Sequence, residues 1–219
     1  MSKIMDELNY ELTWIAVQGL SPDQALATLK REISGAADVR DMPGWPDITN
    51  RRTYWNRIFM GVLPGNWLLL FGDLDEKDKK RLSTLTKFGP AFAGEISRMG
   101  CWSEGQFYQD GRQTWSVDYD MESYGRDDFM KVEGRLPEYL AAIYGEAQKA
   151  VAMQLGRDAG VDLLFEVPGK MSKAICGFSP HEEPPEGFRW SMLQRIGGEP
   201  EPKGEPKPKG CLALLFGWR

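Results

Sequence analysis

A single histidine, His181, stands in a chain of 219 residues, and this removes much of the chemistry that proteins perform near neutral pH. Imidazole is the usual general base, proton shuttle and metal ligand. One imidazole builds neither a histidine metal cluster nor a Ser–His–Asp triad. His181 lies in the acidic, proline-rich stretch SPHEEPPEG (179–187) and reads as a solvated loop residue beside Glu182 and Glu183. Cys101, Cys176 and Cys211 are widely spaced with no CxxC, so neither a zinc ribbon nor a dithiol redox site is expected; they read as free, mostly buried thiols. No P-loop, GxGxxG, HExxH or nucleophile elbow occurs. The expectation is no metal and no cofactor.

Carboxylates remain. Asp73, Asp75, Glu76 and Asp78 resemble the start of a calcium loop, but an EF-hand needs Gly at its sixth position and an acid at its twelfth; counted from Asp73 these are Asp78 and Thr84. The run Asp118, Asp120, Glu122 fails in the same way, with Ser123 and Phe129 at those places. Glu104 is the most unusual acid, because the hairpin described next puts it on a face with Trp102, Trp115 and Tyr119. A carboxylate among aromatic rings has its pKa raised or takes a partner such as Arg98, and a raised pKa is how general acids are made. An enzyme working through carboxylates alone, with Glu104 and Asp118 or Asp120, is therefore one reading of the chain.

The elements that position these groups follow from local pattern. Asp110-Gly111 is a type I′ turn between strand-like segments 100–109 and 112–119. A two-residue loop sets the register: Gln109 opposite Arg112, Phe107 opposite Thr114, Ser103 opposite Asp118. One face then carries Trp102, Glu104, Gln106, Tyr108, Gln113, Trp115, Val117 and Tyr119 and must be covered. Residues 54–63 and the wholly apolar Trp67–Phe71 flank the turn Pro64-Gly65-Asn66, and 91–98 and 188–196 are further strands. Residues 3–18 read as a helix from Ile4, Leu8, Leu12, Ile15 and Ala16. Ser21-Pro22-Asp23 opens a second helix with Ser21 as N-cap. Residues 34–53 read as a loop and 75–87 as a charged helix with Leu82 and Leu85 inward. A long amphipathic helix runs from Pro137 to about Gly156 on a stripe that includes Tyr139, Leu140, Ile143, Tyr144 and Ala147. Short helices follow at 161–166 and 168–176, the last closed by Gly177. These elements predict an α+β fold, an antiparallel meander sheet with helices packed on one face.

Residues 1–196 read as one domain. Residues 197–210 (GGEPEPKGEPKPKG) cannot bury apolar area and read as a flexible linker, and 211–219 (CLALLFGWR) as an apolar segment that docks on its own domain or on a partner. An adaptor acting through that tail is a further reading. No basic run, signal segment or apolar stretch of membrane-spanning length occurs. With a net charge of −5, the expectation is a cytoplasmic protein that binds neither nucleic acid nor membrane. Acids concentrate at Asp73, Asp75 and Glu76, at Asp118, Asp120, Glu122, Asp127 and Asp128, and at Glu182 and Glu183, interspersed with Tyr124 and other aromatics. Aromatic anchors within an acidic rim suit a basic protein partner.

Four segments carry a resemblance: WIAVQGLSPDQAL (14–26), the Trp-led apolar strand Trp67–Gly72, the aromatic hairpin Phe107–Tyr119, and Val161–Gly177 leading into Cys-Gly-Phe. Together, over roughly residues 10–196, they resemble small bacterial α+β proteins that accompany secreted or contact-delivered toxins: immunity proteins of polymorphic toxin and type VI secretion systems. The resemblance implies an antidote that binds a cognate toxin, one with a basic active-site face, and blocks it. It supplies no catalytic residue, and 197–219 lie outside it.

Overall fold

The structure, a computed structural model, describes residues 11–38, 58–72, 83–97, 102–120, 130–153, 160–180, 182 and 188–195. Within it, the stretch from Leu12 to Val17 is buried on both sides except at Thr13, which is half-buried. Leu12, Trp14 and Ala16 lie in one apolar cluster, Ile15 and Val17 in another. Two covered faces are what a central strand shows, and Glu11–Gln18 is strand β1. This corrects the helix expected over 3–18, of which 3–10 lie outside the described residues. Spacing of Leu12, Ile15 and Ala16 fits either period, and Thr13, Ile15 and Val17 (all β-branched) with Trp14 decide for strand once neighbours pair on both sides.

The other elements are α1 (Pro22–Leu29), β2 (Arg31–Asp38), β3 (Ile58–Leu63), β4 (Trp67–Gly72), β5 (Ala91–Ser97), β6 (Trp102–Gln109), β7 (Arg112–Asp120), β8 (Met130–Gly134), α2 (Glu138–Met153), α3 (Gly160–Phe165), α4 (Val167–Cys176) and β9 (Arg189–Arg195). The strands form one antiparallel sheet in the order β2-β9-β3-β4-β1-β5-β6-β7-β8. The meander expected from sequence holds through β5–β8 and through β3–β4, with β1 and β9 inserted between partners. β2 corrects part of the loop expected over 34–53. Its sequence REISGAAD is diluted by Gly and Ala, and the register slips between Ile33 and Gly35, which hides the alternation. Residues 39–53 lie outside the described residues.

Helix α1 is built as its cap predicts: the Gln24 amide N–H donates to Ser21 Oγ (3.3 Å) and the Ser21 N–H to Gln24 Oε1 (3.0 Å). Helix α4 ends at Gly177 with φ 82°. Helices α2, α3 and α4 cover the face carrying Trp14, Phe71, Phe92, Trp115 and Tyr119. α1 and Leu85, from a helical turn at 83–85, cover part of the other. Tyr139, placed by its spacing on the buried stripe of α2, is exposed; Leu140 and Ala147 carry the contact. No helix among the described residues is long and apolar enough to cross a membrane.

A trough of glycines lets the helical layer approach the sheet. Trp14 faces Gly94, and Gly94 faces Gly105. A Cβ on Gly94 would fall 2.1 Å from the Trp14 ring, and one on Gly105 would fall 3.2 Å from Pro168 of α4. The indole thus lies over β5 while Pro168 sits on β6. The Trp14 N–H donates to Ser172 Oγ of α4 at 3.0 Å, a buried bond that fixes the helix to the central strand.

Candidate functional site

The β6–β7 hairpin decides which side chains share a face. Its turn has φ 53° at Asp110 and 73° at Gly111, the paired positive angles of type I′. Gln109 faces Arg112 as expected. Beyond Tyr108, opposite Gln113, the register slips: Phe107 faces Trp115 and Ser103 faces Tyr119. Thr114 is the extra residue of a bulge, and its hydroxyl donates to the Phe107 carbonyl at 3.2 Å. One inserted residue exchanges faces for everything past it. Glu104 therefore does not share a face with Trp115 and Tyr119. Those two join Ser103, Gly105 and Phe107 beneath the helices, while Glu104 projects from the opposite side with Trp102, Gln106 and Tyr108.

On that opposite side, strand pairing lays carboxylates abreast. Glu95 of β5 faces Glu104 of β6, and Glu104 faces Asp118 of β7; Lys131 of β8 closes the row. Lys131 is ion-paired with Glu133 of its own strand. Directly opposed side chains in a sheet stand about 5 Å apart, and like charges there disfavour the fold.

A cleft of about 160 Å³ opens beside this row. Its floor comes from Thr13 and Ile15 of β1, Ala93 and Glu95 of β5, and Glu104, Gln106 and Tyr108 of β6, and its wall from Ser83 and Thr86. Local bonds hold the wall. The Thr86 hydroxyl donates to the Ser83 carbonyl at 2.8 Å, and the Gly111 N–H donates to the Thr86 carbonyl at 3.1 Å, tying the hairpin tip to the wall. At the far end Gly89 passes so close to β1 that a Cβ would meet the Gln18 carbonyl oxygen at 2.2 Å. Along β6 the Tyr108 hydroxyl donates to Gln106 Oε1, and Gln106 Nε2 donates to Glu104 Oε1. Burial, and then the Glu104 charge, push the Tyr108 phenol above its ordinary pKa: the neutral, donating form is favoured. The ladder thus runs toward Glu104 and orients its carboxylate.

The residues singled out in the sequence fall in several places. Asp118 and Asp120 are half-buried on β7 and alternate with Val117 and Tyr119, so they project on the same side as Glu104. Glu182 is exposed and ion-paired with Lys173 of α4 at 3.0 Å, on the helical side of the sheet. The structure therefore does not bring Glu182 together with Asp118 and Asp120 into one rim. Asp73, Asp75, Glu76, Glu122, Tyr124, Asp127, Asp128, Glu183, His181, Cys101 and Cys211 lie outside the described residues. Cys176 is a buried free thiol whose pKa is raised by burial. Sequence reasoning missed Glu95, Thr13, Ser83 and Thr86. Only Glu95 left a signal, as a lone acid in the apolar strand AFAGEIS. Among the described residues no three His, Cys, Asp or Glu side chains are grouped as a metal ion needs.

No family model, no curated protein and no solved structure matches the chain.

Proposed function

We propose that this is a binding protein of the immunity type, a cytoplasmic antidote that docks on the basic active-site face of a cognate toxin domain. The observation that carries the reading is the row Glu95–Glu104–Asp118, three carboxylates abreast on rigid strands. A fold gains nothing from opposing like charges across strand pairs, whereas a cationic partner turns the same row into complementary electrostatics that speeds encounter and fixes orientation. Residue conflicts of this kind concentrate where a protein does its work. The resemblance described above points to the same class of partner.

Co-expression tests it. The protein should co-purify with a toxin encoded beside it and protect cells that express that toxin. The double reversal Glu104→Lys with Asp118→Lys should abolish both effects while circular dichroism stays native. Protection that survives the reversal, or absence of any complex, sinks the proposal.

One observation favours a second reading, a carboxylate-dependent enzyme: Glu95 and Glu104 both line the cleft. Size favours the first reading: small-molecule sites enclose about 300–1,000 Å³, against about 160 Å³ for this cleft. If Glu104→Gln abolishes a turnover reaction while complex formation persists, the enzyme reading replaces the first.

A further inference from the structure

We infer that the cleft bounded by β1, β5, β6 and residues 83–86 is the seat of a single arginine side chain presented by the partner. The inference rests on the binding reading above and names the group that is recognised.

Four features of the cleft select that group. An apolar cavity of about 150 Å³ holds a benzene, so about 160 Å³ holds one planar group of that size. Ile15 and Ala93 give an apolar floor for a methylene stem, the part of a long cationic side chain that gains from leaving water. The Tyr108 ring stands at one side, its hydroxyl bonded to Gln106, so the ring is held in place for a cation to stack on its face. Glu95 and Glu104 supply negative charge, and the other described residues that line the cleft carry no formal charge. An ammonium would meet the charge alone. A guanidinium is planar, weakly hydrated, stacks on aromatic rings and forms paired hydrogen bonds to a carboxylate, and so uses ring and carboxylate together. The ladder from Tyr108 through Gln106 to Glu104 presets the acceptor before the ligand arrives, which lowers the ordering cost of binding.

The test is an NMR titration of the full chain with N-acetyl-arginine amide, its lysine counterpart and the neutral citrulline isostere. The arginine probe should give saturable shifts centred on the Gln106 side-chain amide and the Tyr108 ring. Citrulline should bind about tenfold more weakly, as expected for loss of one charge-assisted hydrogen bond. Lysine should fall between them. Glu104→Gln should weaken the arginine probe by a similar factor with a native spectrum, and Ser83→Trp, at the exposed lip, should block it. Equal binding of arginine and citrulline, shifts centred elsewhere, or an unchanged affinity in Glu104→Gln overturns the inference. If Ser83→Trp and Glu104→Gln both still protect cells from the toxin, the arginine seat falls and the immunity reading stands. If the probe seats as described but no toxin complex forms, the arginine seat stands and the immunity reading falls.

Discussion

Adding one methyl group at Gly94 tests how the helical layer is locked to the sheet. In Gly94→Ala the new Cβ would sit 2.1–2.6 Å from three ring atoms of Trp14, so the indole must move. Trp14 is fully buried, lies 6.4 Å from the Phe92 ring and 6.0 Å from Phe178, and has its N–H committed to Ser172. Overpacking a core costs about 1–3 kcal/mol, and leaving a buried donor unsatisfied costs about 1–3 kcal/mol more. The expected loss is roughly 2–6 kcal/mol; at about 2–4 °C per kcal/mol for a chain of this size, Tm falls by roughly 4–24 °C. Ser172→Ala alone should cost about 1–3 kcal/mol. If Gly94→Ala acts by pushing the indole off Ser172, the second loss is already present in the first variant, and the double variant should fall short of the sum by about 1 kcal/mol or more. Gly145→Ala, in α2 with nothing within 4 Å of its Cβ, serves as control and should be stabilising by up to about 1 kcal/mol. Thermal and denaturant unfolding read the parent and all four variants. Additivity of the two losses, or a Tm for Gly94→Ala within about 1 °C of the parent, refutes the reasoning.

Other expectations follow from single features. Ser103 Oγ is fully buried without a hydrogen-bond partner among the described residues, so Ser103→Ala should be neutral or raise stability by about 1 kcal/mol; a clear loss in urea unfolding would contradict this. Deleting Thr114 removes the bulge and leaves Gln113 opposite Tyr108 and Trp115 opposite Phe107 in an unbroken ladder, so the Trp115, Val117, Tyr119 set stays beneath the helices; cooperative unfolding should persist in calorimetry, and its loss would count against the register described. The raised Tyr108 pKa carries a definite sign: the folded form holds the phenolic proton more tightly than the unfolded form. The corresponding stability is complete below about pH 10 and is lost as pH rises through the folded value. Tyr108→Phe should flatten that alkaline decline, which unfolding midpoints between pH 8 and 11 will reveal. Cys176, buried and with its thiol pushed up by desolvation, should resist thiol reagents at neutral pH until the chain is unfolded; peptide mapping of the labelled protein separates it from Cys101 and Cys211.

Much of the architecture was legible because local chemistry specified it. Ser21, Pro22 and Gln24 write a helix start, Asp110-Gly111 writes a turn, and Trp67–Phe71 reads as a strand covered on both faces; the structure contains all three. The N-terminal strand was misread because a chain segment buried on both sides loses the period-two pattern that marks a half-buried strand. What distinguishes it, pairing with β4 and β5, lies far along the chain. The face bearing Glu104 was misassigned for a subtler reason. Turn type fixes the register only as far as the first irregularity, and nothing about Thr114 in RQTWSV announces a bulge. The cleft was out of reach altogether, since Glu95, Glu104 and Thr13 meet only through the register of three strands, and Ser83 and Thr86 through the docking of a hairpin tip.

The place of β9 has a consequence for how the chain is made. Among the described residues β2 pairs with β9 alone, and β9 fills the slot between β2 and β3. During synthesis, amino end first, β2 and the outer edge of β3 therefore wait for their partner among the described strands until residues 189–195 have emerged. Bare edges recruit strands from other chains. A message cut short before Arg189 would thus yield no smaller working protein, only a chain with bare strand edges that chaperones must shelter.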